Sequence, residues 1–255
     1  MDYLIIVLLG AAWGSFANVC IYRLPKNDPI TTGRSYCPNC KKKIKWFDNI
    51  PVLSFIFLMA KCRFCKKPIN IQYFIVEKIS LISFVVIYFY FGLTITTLLF
   101  MVLFIFFIIM FFIDLKHFII LDVLTFPLMI IGFAKSFYPN LNTIFFPNFI
   151  NSLIGGVSGY LSIWLIIFFY KQIRKKEGMG LGDAKLMAVI GFWFGWVSIP
   201  FVIFLSSVLA LVMIVPSLIK KTKSMTTEIP FGPYIVAATI IYIIFSDFLK
   251  NLLIV

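Results

Sequence analysis

Acidic side chains are scarce in this chain: ten Asp and Glu stand against 23 Lys and Arg, with a single histidine, in 255 residues. That histidine, His117, has no evident nucleophile partner, so no Ser-His-Asp set is available. No Walker loop occurs, and Gly178-x-Gly180-x-Gly182 follows no strand, which excludes a dinucleotide fingerprint. Internal repeats and low-complexity linkers are also missing. The opening Met1-Asp2-Tyr3 lacks a basic leader region and no convincing small-residue cleavage site follows, so the N-terminus reads as a first membrane span that stays in place, its end facing outward.

What the chain has in abundance is apolar surface. Hydrophobic residues make up 62% of it and phenylalanine alone supplies 31. Runs of about 20 apolar residues recur, each long enough for a bilayer core of about 30 Å. Backbone groups in lipid must be satisfied internally, and runs of this length do so as helices. The expected fold is all-α and polytopic, with about eight transmembrane helices near 3–22, 73–92, 94–113, 118–137, 149–170, 184–198, 199–219 and 229–250. Between the sixth and seventh, Gly195 to Pro200 reads as a tight turn or as a kink in one long segment.

The net charge of +13 suggests nucleic acid at first sight. Its distribution argues for orientation instead. Segment 23–72 holds eleven Lys and Arg, including Arg34, and further clusters follow the third, fifth and seventh spans at Lys116, at Lys171, Arg174, Lys175 and Lys176, and at Lys220, Lys221 and Lys223. The alternate connections carry none, although Lys135 lies just before one of them. Eight spans with both termini outside put nearly all basic charge on the cytoplasmic side, where anionic lipid headgroups are a natural partner. Nucleic acid is not expected as a partner.

The basic segment holds Cys37-Pro38-Asn39-Cys40 and Cys62-Arg63-Phe64-Cys65, two CxxC turns separated by 21 residues. Such spacing fits a four-thiolate zinc site, structural because no position remains for water. Disulfides are the plainer alternative, disfavoured on a cytoplasmic loop where thiols stay reduced. Segment 23–72 is therefore expected to be a small zinc-binding loop domain between a first transmembrane helix (1–22) and a transmembrane core (73–255). The apolar stretch Asn49 to Phe55 between the turns suits the membrane surface or packing against the spans. The fifth cysteine, Cys20, reads as packing.

Two of the few acids stand where acids are costly. Asp114 ends the apolar run that begins at Phe100, and Asp183 follows the glycine cluster and opens another hydrophobic stretch, 69 residues later. Ionisable groups at membrane positions mark function by default. The charge pattern puts both at the cytoplasmic face, as a paired-carboxylate catalyst requires. Plainer readings are a helix cap for Asp183 and a water-boundary residue for Asp114 beside Lys116 and His117. A proton relay in a transporter is the alternative from another class. Asp122 reads as a cap or support, and Glu77 as an ion-pair partner of Lys78 or a polar site facing the loop.

Taken together, these residues resemble the bacterial type IV prepilin peptidases, which are bifunctional leader peptidases and N-methyltransferases of the GxGD aspartic class. The carrying segments are Gly14-Ser15-Phe16-Ala17-Asn18-Val19-Cys20-Ile21-Tyr22-Arg23-Leu24-Pro25, Asn49-Ile50-Pro51-Val52-Leu53-Ser54 between the cysteine turns, Tyr73-Phe74-Ile75-Val76-Glu77, Ile113-Asp114-Leu115 with Asp122-Val123-Leu124-Thr125, Gly180-Leu181-Gly182-Asp183-Ala184-Lys185-Leu186, and Pro230-Phe231-Gly232-Pro233. The resemblance implies that Asp114 and Asp183 are catalytic, with Gly180, Gly182, Lys185 and Asp122 as motif support. It further implies cleavage of a basic leader from a prepilin or pseudopilin at the cytoplasmic face of the bacterial inner membrane. Methylation of the new N-terminus from S-adenosylmethionine would follow, with Lys61 of the loop and Glu77 at the start of the second span as methyltransferase or loop support. The chain departs from the family's pattern at Leu121, usually proline, and at Ala60, usually glycine.

Overall fold

The computed structural model describes residues 1–31, 35–138, 141, 145–175, 178–219 and 229–253, with side chains left undescribed over 216–219 and 247–253. Arg34, Lys176, Lys220, Lys221 and Lys223 of the charge pattern lie outside the described residues. The chain is helical: α1 (Asp2–Arg23), α2 (Leu53–Phe57), α3 (Ile71–Phe91), α4 (Ile95–His117), α5 (Asp122–Ala134), α6 (Phe149–Arg174), α7 (Leu181–Phe194), α8 (Ser198–Ile219) and α9 (Gly232–Leu253). Among the described residues there are no strands, only isolated bridges Tyr36–Lys43 and Lys61–Pro68.

Every expected span coincides with a helix, but the expected count of eight is not reached by length. Among the described residues five helices are long and apolar enough to cross a membrane: Asp2–Lys26, Ile71–Phe91, Ile95–His117, Phe149–Arg174 and Ser198–Val215; Gly232–Ser246 is a shorter apolar helix. The other two are α5, with 13 residues, and α7, with 14. At ~1.5 Å per residue such helices rise only ~20 Å, short of the core. Apolar composition all round a helix fits burial in protein as well as in lipid. In α7 burial in protein is the case, since Asp183, Ala184, Leu186 to Gly191, Trp193 and Phe194 are all buried.

The chain divides into two units, Met1–Ile109 and Met110–Val255, the boundary falling inside α4. In the first, α1 and α3 pack antiparallel, with Tyr3 edge-on to Tyr88 at 4.9 Å. Small residues on α1 let the backbones approach: a Cβ on Gly14 would stand 2.8 Å from the Glu77 Cα. The Ser80 hydroxyl donates to the Gly10 carbonyl at 2.8 Å, and the Asn18 amide donates to the Tyr73 carbonyl at 3.0 Å. Small residues with interhelical hydrogen bonds are the usual means of association where hydrophobicity cannot drive it.

In the second unit α7 runs against α6 along a glycine seam. A Cβ on Gly191 would collide with the Gly155 backbone, and one on Gly159 would stand 2.5 Å from the Met187 carbonyl oxygen. Ser152 donates to the Phe192 carbonyl at 2.8 Å, and Trp193 donates its indole N–H to the Leu128 carbonyl, also at 2.8 Å. Gly195, at φ +81°, makes the turn into α8, which resolves Gly195 to Pro200 as a turn and not a kink. Lys135 is buried, and its Nζ donates to the Trp193 carbonyl at 2.8 Å over the Phe146 ring. A cation at the C-terminal end of α7 meets carbonyls left without helix partners. This lysine therefore has a structural role besides any part in orientation.

Candidate active site and metal centre

Asp114 closes α4 just before the helix ends, at 4% exposure, and Asp183 lies in the first turn of α7 at 8%. Each is held by the N-terminus of a helix. The Gly232 N–H, at the start of α9, donates to Asp114 Oδ2 at 3.0 Å. Asp183 is the third residue of α7, and its carboxylate reaches back to the N–H of Gly180, the residue that caps the helix. That is the reciprocal half of a capping box, so the plainer reading of Asp183 as a cap is itself present. Free N–H groups at helix starts are good anion partners.

The loop between α4 and α5 brings the two acids together. Ile120 lies against both glycines that flank them: a Cβ on Gly182 would stand 2.8 Å from the Ile120 Cβ, and one on Gly232 would stand 3.0 Å from the Ile120 Cδ1. The Gly232 Cβ would also stand 2.7 Å from Asp114 Oδ2. Asp114 and Asp183 are electrostatic neighbours. Asp122, first in α5, is paired with Lys185 of α7 at 2.5 Å, with side chains 55% and 26% exposed. So Asp114, Gly180, Gly182, Asp183, Asp122 and Lys185 assemble in one unit. Gly232 and Ile120 complete the set. Their sequence signals were the Pro-Phe-Gly-Pro stretch and the turn between two helices, neither of which shows that its residues touch an acid. His117 is exposed at the end of α4.

The four cysteines come together in the other unit. The Sγ atoms of Cys37, Cys40, Cys62 and Cys65 all lie within 4.8 Å of one another, and Cys37 and Cys65 are 3.9 Å apart. Tetrahedral Zn–S bonds of about 2.3 Å require sulfurs about 3.8 Å apart, so the four thiolates fit a zinc ion. Both turns have the same build. Lys41 N–H donates to the Cys37 carbonyl at 2.8 Å with Lys41 at φ +59°, and Lys66 N–H donates to the Cys62 carbonyl at 2.9 Å with Lys66 at φ +57°. Among the described residues no disulfide occurs. Arg63 makes a two-pronged pair with Asp48 at 2.6 and 2.8 Å, and this guanidinium holds the Asp48 carboxyl below its ordinary range. The Cys65 N–H, and then that of Phe64, lower the Cys62 thiol to about 7. Cys65 moves up to about 11: the Lys67 N–H favours its thiolate, but desolvation and hydrogen bonds shared with the other three sulfurs outweigh it.

Glu77 lies in α3, and its Oε2 accepts the Val52 N–H at 2.7 Å, so the reading as a polar group facing the loop fits its place. Lys61 is exposed and bridges to Pro68 beside Cys62. Ala60 adopts φ +56°, a left-handed conformation in which glycine carries no Cβ penalty.

Comparison with known proteins follows the same division. Residues 8–91 match the family model for the bacterial peptidase A24 N-terminal domain, and residues 101–215 match that for the type IV leader peptidase family. The chain is 33% identical to a prepilin leader peptidase/N-methyltransferase of Pseudomonas aeruginosa, covering 94% of this chain and 89% of that protein. It is 36% identical to one of Xanthomonas campestris pv. campestris, over 90% and 86%, and 32% identical to one of Legionella pneumophila, over 98% and 93%. No solved structure matches. The transporter alternative finds no support in these matches.

Proposed function

The chain belongs to the type IV leader peptidase family, and from that premise we propose that Asp114 and Asp183 cut the basic leader from a prepilin or pseudopilin at the cytoplasmic face of the inner membrane. The observation that supports the pair is its convergence: two buried acids come from the end of α4 and the start of α7, and the glycines beside them, Gly232 hydrogen-bonded to Asp114 and Gly182 next to Asp183, both lie against Ile120. Two close carboxylates share one proton. The ionised one takes a proton from water as the water oxygen bonds to the scissile carbonyl carbon. The protonated one donates to the carbonyl oxygen. When the tetrahedral species collapses, the C–N bond breaks, the leaving amine takes a proton, and the pair returns to its starting state. Gly232 and Gly180 hold the carboxylates in place through their N–H groups, and the Asp122–Lys185 pair fixes α5 against α7.

The second activity in the relatives' names, N-methylation of the new terminus, is proposed for this chain as well. S-adenosylmethionine would supply the methyl group when bound. Methyl transfer is assigned to the chain and not to particular side chains. The four cysteines would hold a structural zinc that folds the loop around 37–65. Incubating purified protein with a precursor and S-adenosylmethionine, then weighing the product, reads cleavage and methylation at once. Asp114→Asn and Asp183→Asn should each lower cleavage by about 10²-fold to 10⁴-fold or more while the protein stays folded and inserted. Retained cleavage by either variant sinks the assignment.

A further inference from the structure

The stretch between the two cysteine turns is apolar, outward-facing and strapped to the side of a membrane helix. Val52 has φ +64°, unusual for a β-branched residue, and the Leu53 N–H closes a tight turn on the Pro51 carbonyl at 2.6 Å. Two contacts fasten this turn to α3: the Val52 N–H to Glu77 Oε2 at 2.7 Å, and Phe55 stacked on Phe74 at 5.0 Å. Their position along α3 sets a depth. With 21 residues, α3 rises ~31 Å, about the thickness of a bilayer core of about 30 Å, so Ile71 stands near the core boundary. Glu77, six residues further, is ~9 Å along the helix, and Val52 is at its side. Lys78 agrees with that depth: its Nζ turns back over the Phe74 ring at 6.0 Å, towards the start of α3, as a lysine does when it snorkels to headgroups.

Backbone at such depth survives only when its polar groups are satisfied. Here they are. Ser54 donates to Ile50, Leu58 to Ser54, Met59 to Ile56, Ala60 to Phe55 and Lys61 to Leu58, all between 2.9 and 3.0 Å, and the awkward Val52 N–H has Glu77. Leu53, Ile56, Phe57 and Met59 nevertheless point outward, Phe57 at 80% and Met59 at 83% exposure. In the first cysteine turn and just after it, Lys41, Lys42, Lys43 and Lys45 are all exposed, and the acid of this stretch, Asp48, is engaged by Arg63. A second copy on this face would oppose lysine to lysine; an anionic leaflet would meet apolar side chains with acyl chains and lysines with phosphates.

We infer that residues 50–59 form a re-entrant interfacial loop whose apolar face is buried in an anionic phospholipid leaflet, with the knuckle lysines on lipid phosphates. The inference rests on α1 and α3 crossing a bilayer, not on either enzymatic step. The test uses the full chain in nanodiscs of phosphatidylcholine and phosphatidylglycerol with brominated acyl chains. Phe57→Trp, read as the emission added over the wild type, should be blue-shifted, and roughly half of it should be quenched at the ~5–10 Å depth of interfacial segments. Ile56→Trp gives a second reading, and retained zinc content checks that each variant is folded. Replacing Lys41, Lys42 and Lys43 together by Glu should reduce the quenching in phosphatidylglycerol to its level in pure phosphatidylcholine. Added emission that is red-shifted and unquenched overturns the inference. So does blue-shifted but unquenched emission with two copies per disc, which would assign the face to self-association. Equal quenching in both lipids for the unaltered lysines overturns the phosphate contact.

Discussion

Single positions in this protein are decided by what lies within a few ångströms of the backbone. Gly232 has room for a hydrogen and nothing more, because a methyl group there meets Asp114 Oδ2 at 2.7 Å. Gly232→Ala is expected to push that carboxylate aside and lower cleavage by at least about tenfold, a mispositioning cost of the kind that sub-ångström shifts cause, while thermal unfolding changes little. Cleavage rate and melting temperature, measured on one preparation, check both halves. Ala60 is the opposite case. It holds φ +56° with a side chain that disfavours it. Ala60→Gly should therefore stabilise the zinc loop by up to about 1 kcal/mol, visible as slower zinc loss to a chelator. The acids themselves were legible in the sequence because charge at the end of an apolar run is rare. The reason for Gly232 was not, because a hydrogen bond between residues 118 apart leaves no local trace.

Among the elements, the knuckles were the most legible and the short helices the least. CxxC spacing constrains geometry so tightly that two turns of like build follow from it, down to a left-handed lysine after each. By contrast α5 and α7 read as membrane spans since an apolar helix looks the same whether lipid or protein surrounds it. Glycines opposite α7, at Gly155, Gly156 and Gly159, record its close neighbour, and spacing alone does not name what they face. The knuckles also carry a chemical asymmetry. In the folded knuckles the N–H groups of Cys65 and Phe64 hold the Cys62 thiol down, whereas desolvation and hydrogen bonds shared with the other sulfurs hold that of Cys65 up. Stripping zinc with a chelator and adding iodoacetamide at pH 7.5 should alkylate Cys37, Cys40, Cys62 and Cys65, mapped by peptide mass. Protection of all four sites by added zinc checks the four-thiolate centre itself.

At the level of the whole molecule, the two family models and the two compact units divide the chain near the same place, inside α4 or just before it. Asp114 and Asp183 are on one side of that division and the four knuckle cysteines on the other. If each unit carries its own chemistry, Asp183→Asn should still methylate a pilin supplied without its leader, at a rate within about twofold of the wild type, measured with labelled S-adenosylmethionine; loss of both reactions together would show that they share these carboxylates. The seam between α6 and α7 sets a further condition on how substrate is met. Where Gly155, Gly159 and Gly191 bring main chain against main chain, no rotamer exists that can swing aside, and a slip of a fraction of a turn drives one backbone into the other. The two helices act as one stiff beam, with Asp183 mounted near its end. On the proposed mechanism, a precursor helix has to travel to that acid, because the acid has no slack with which to travel to the precursor.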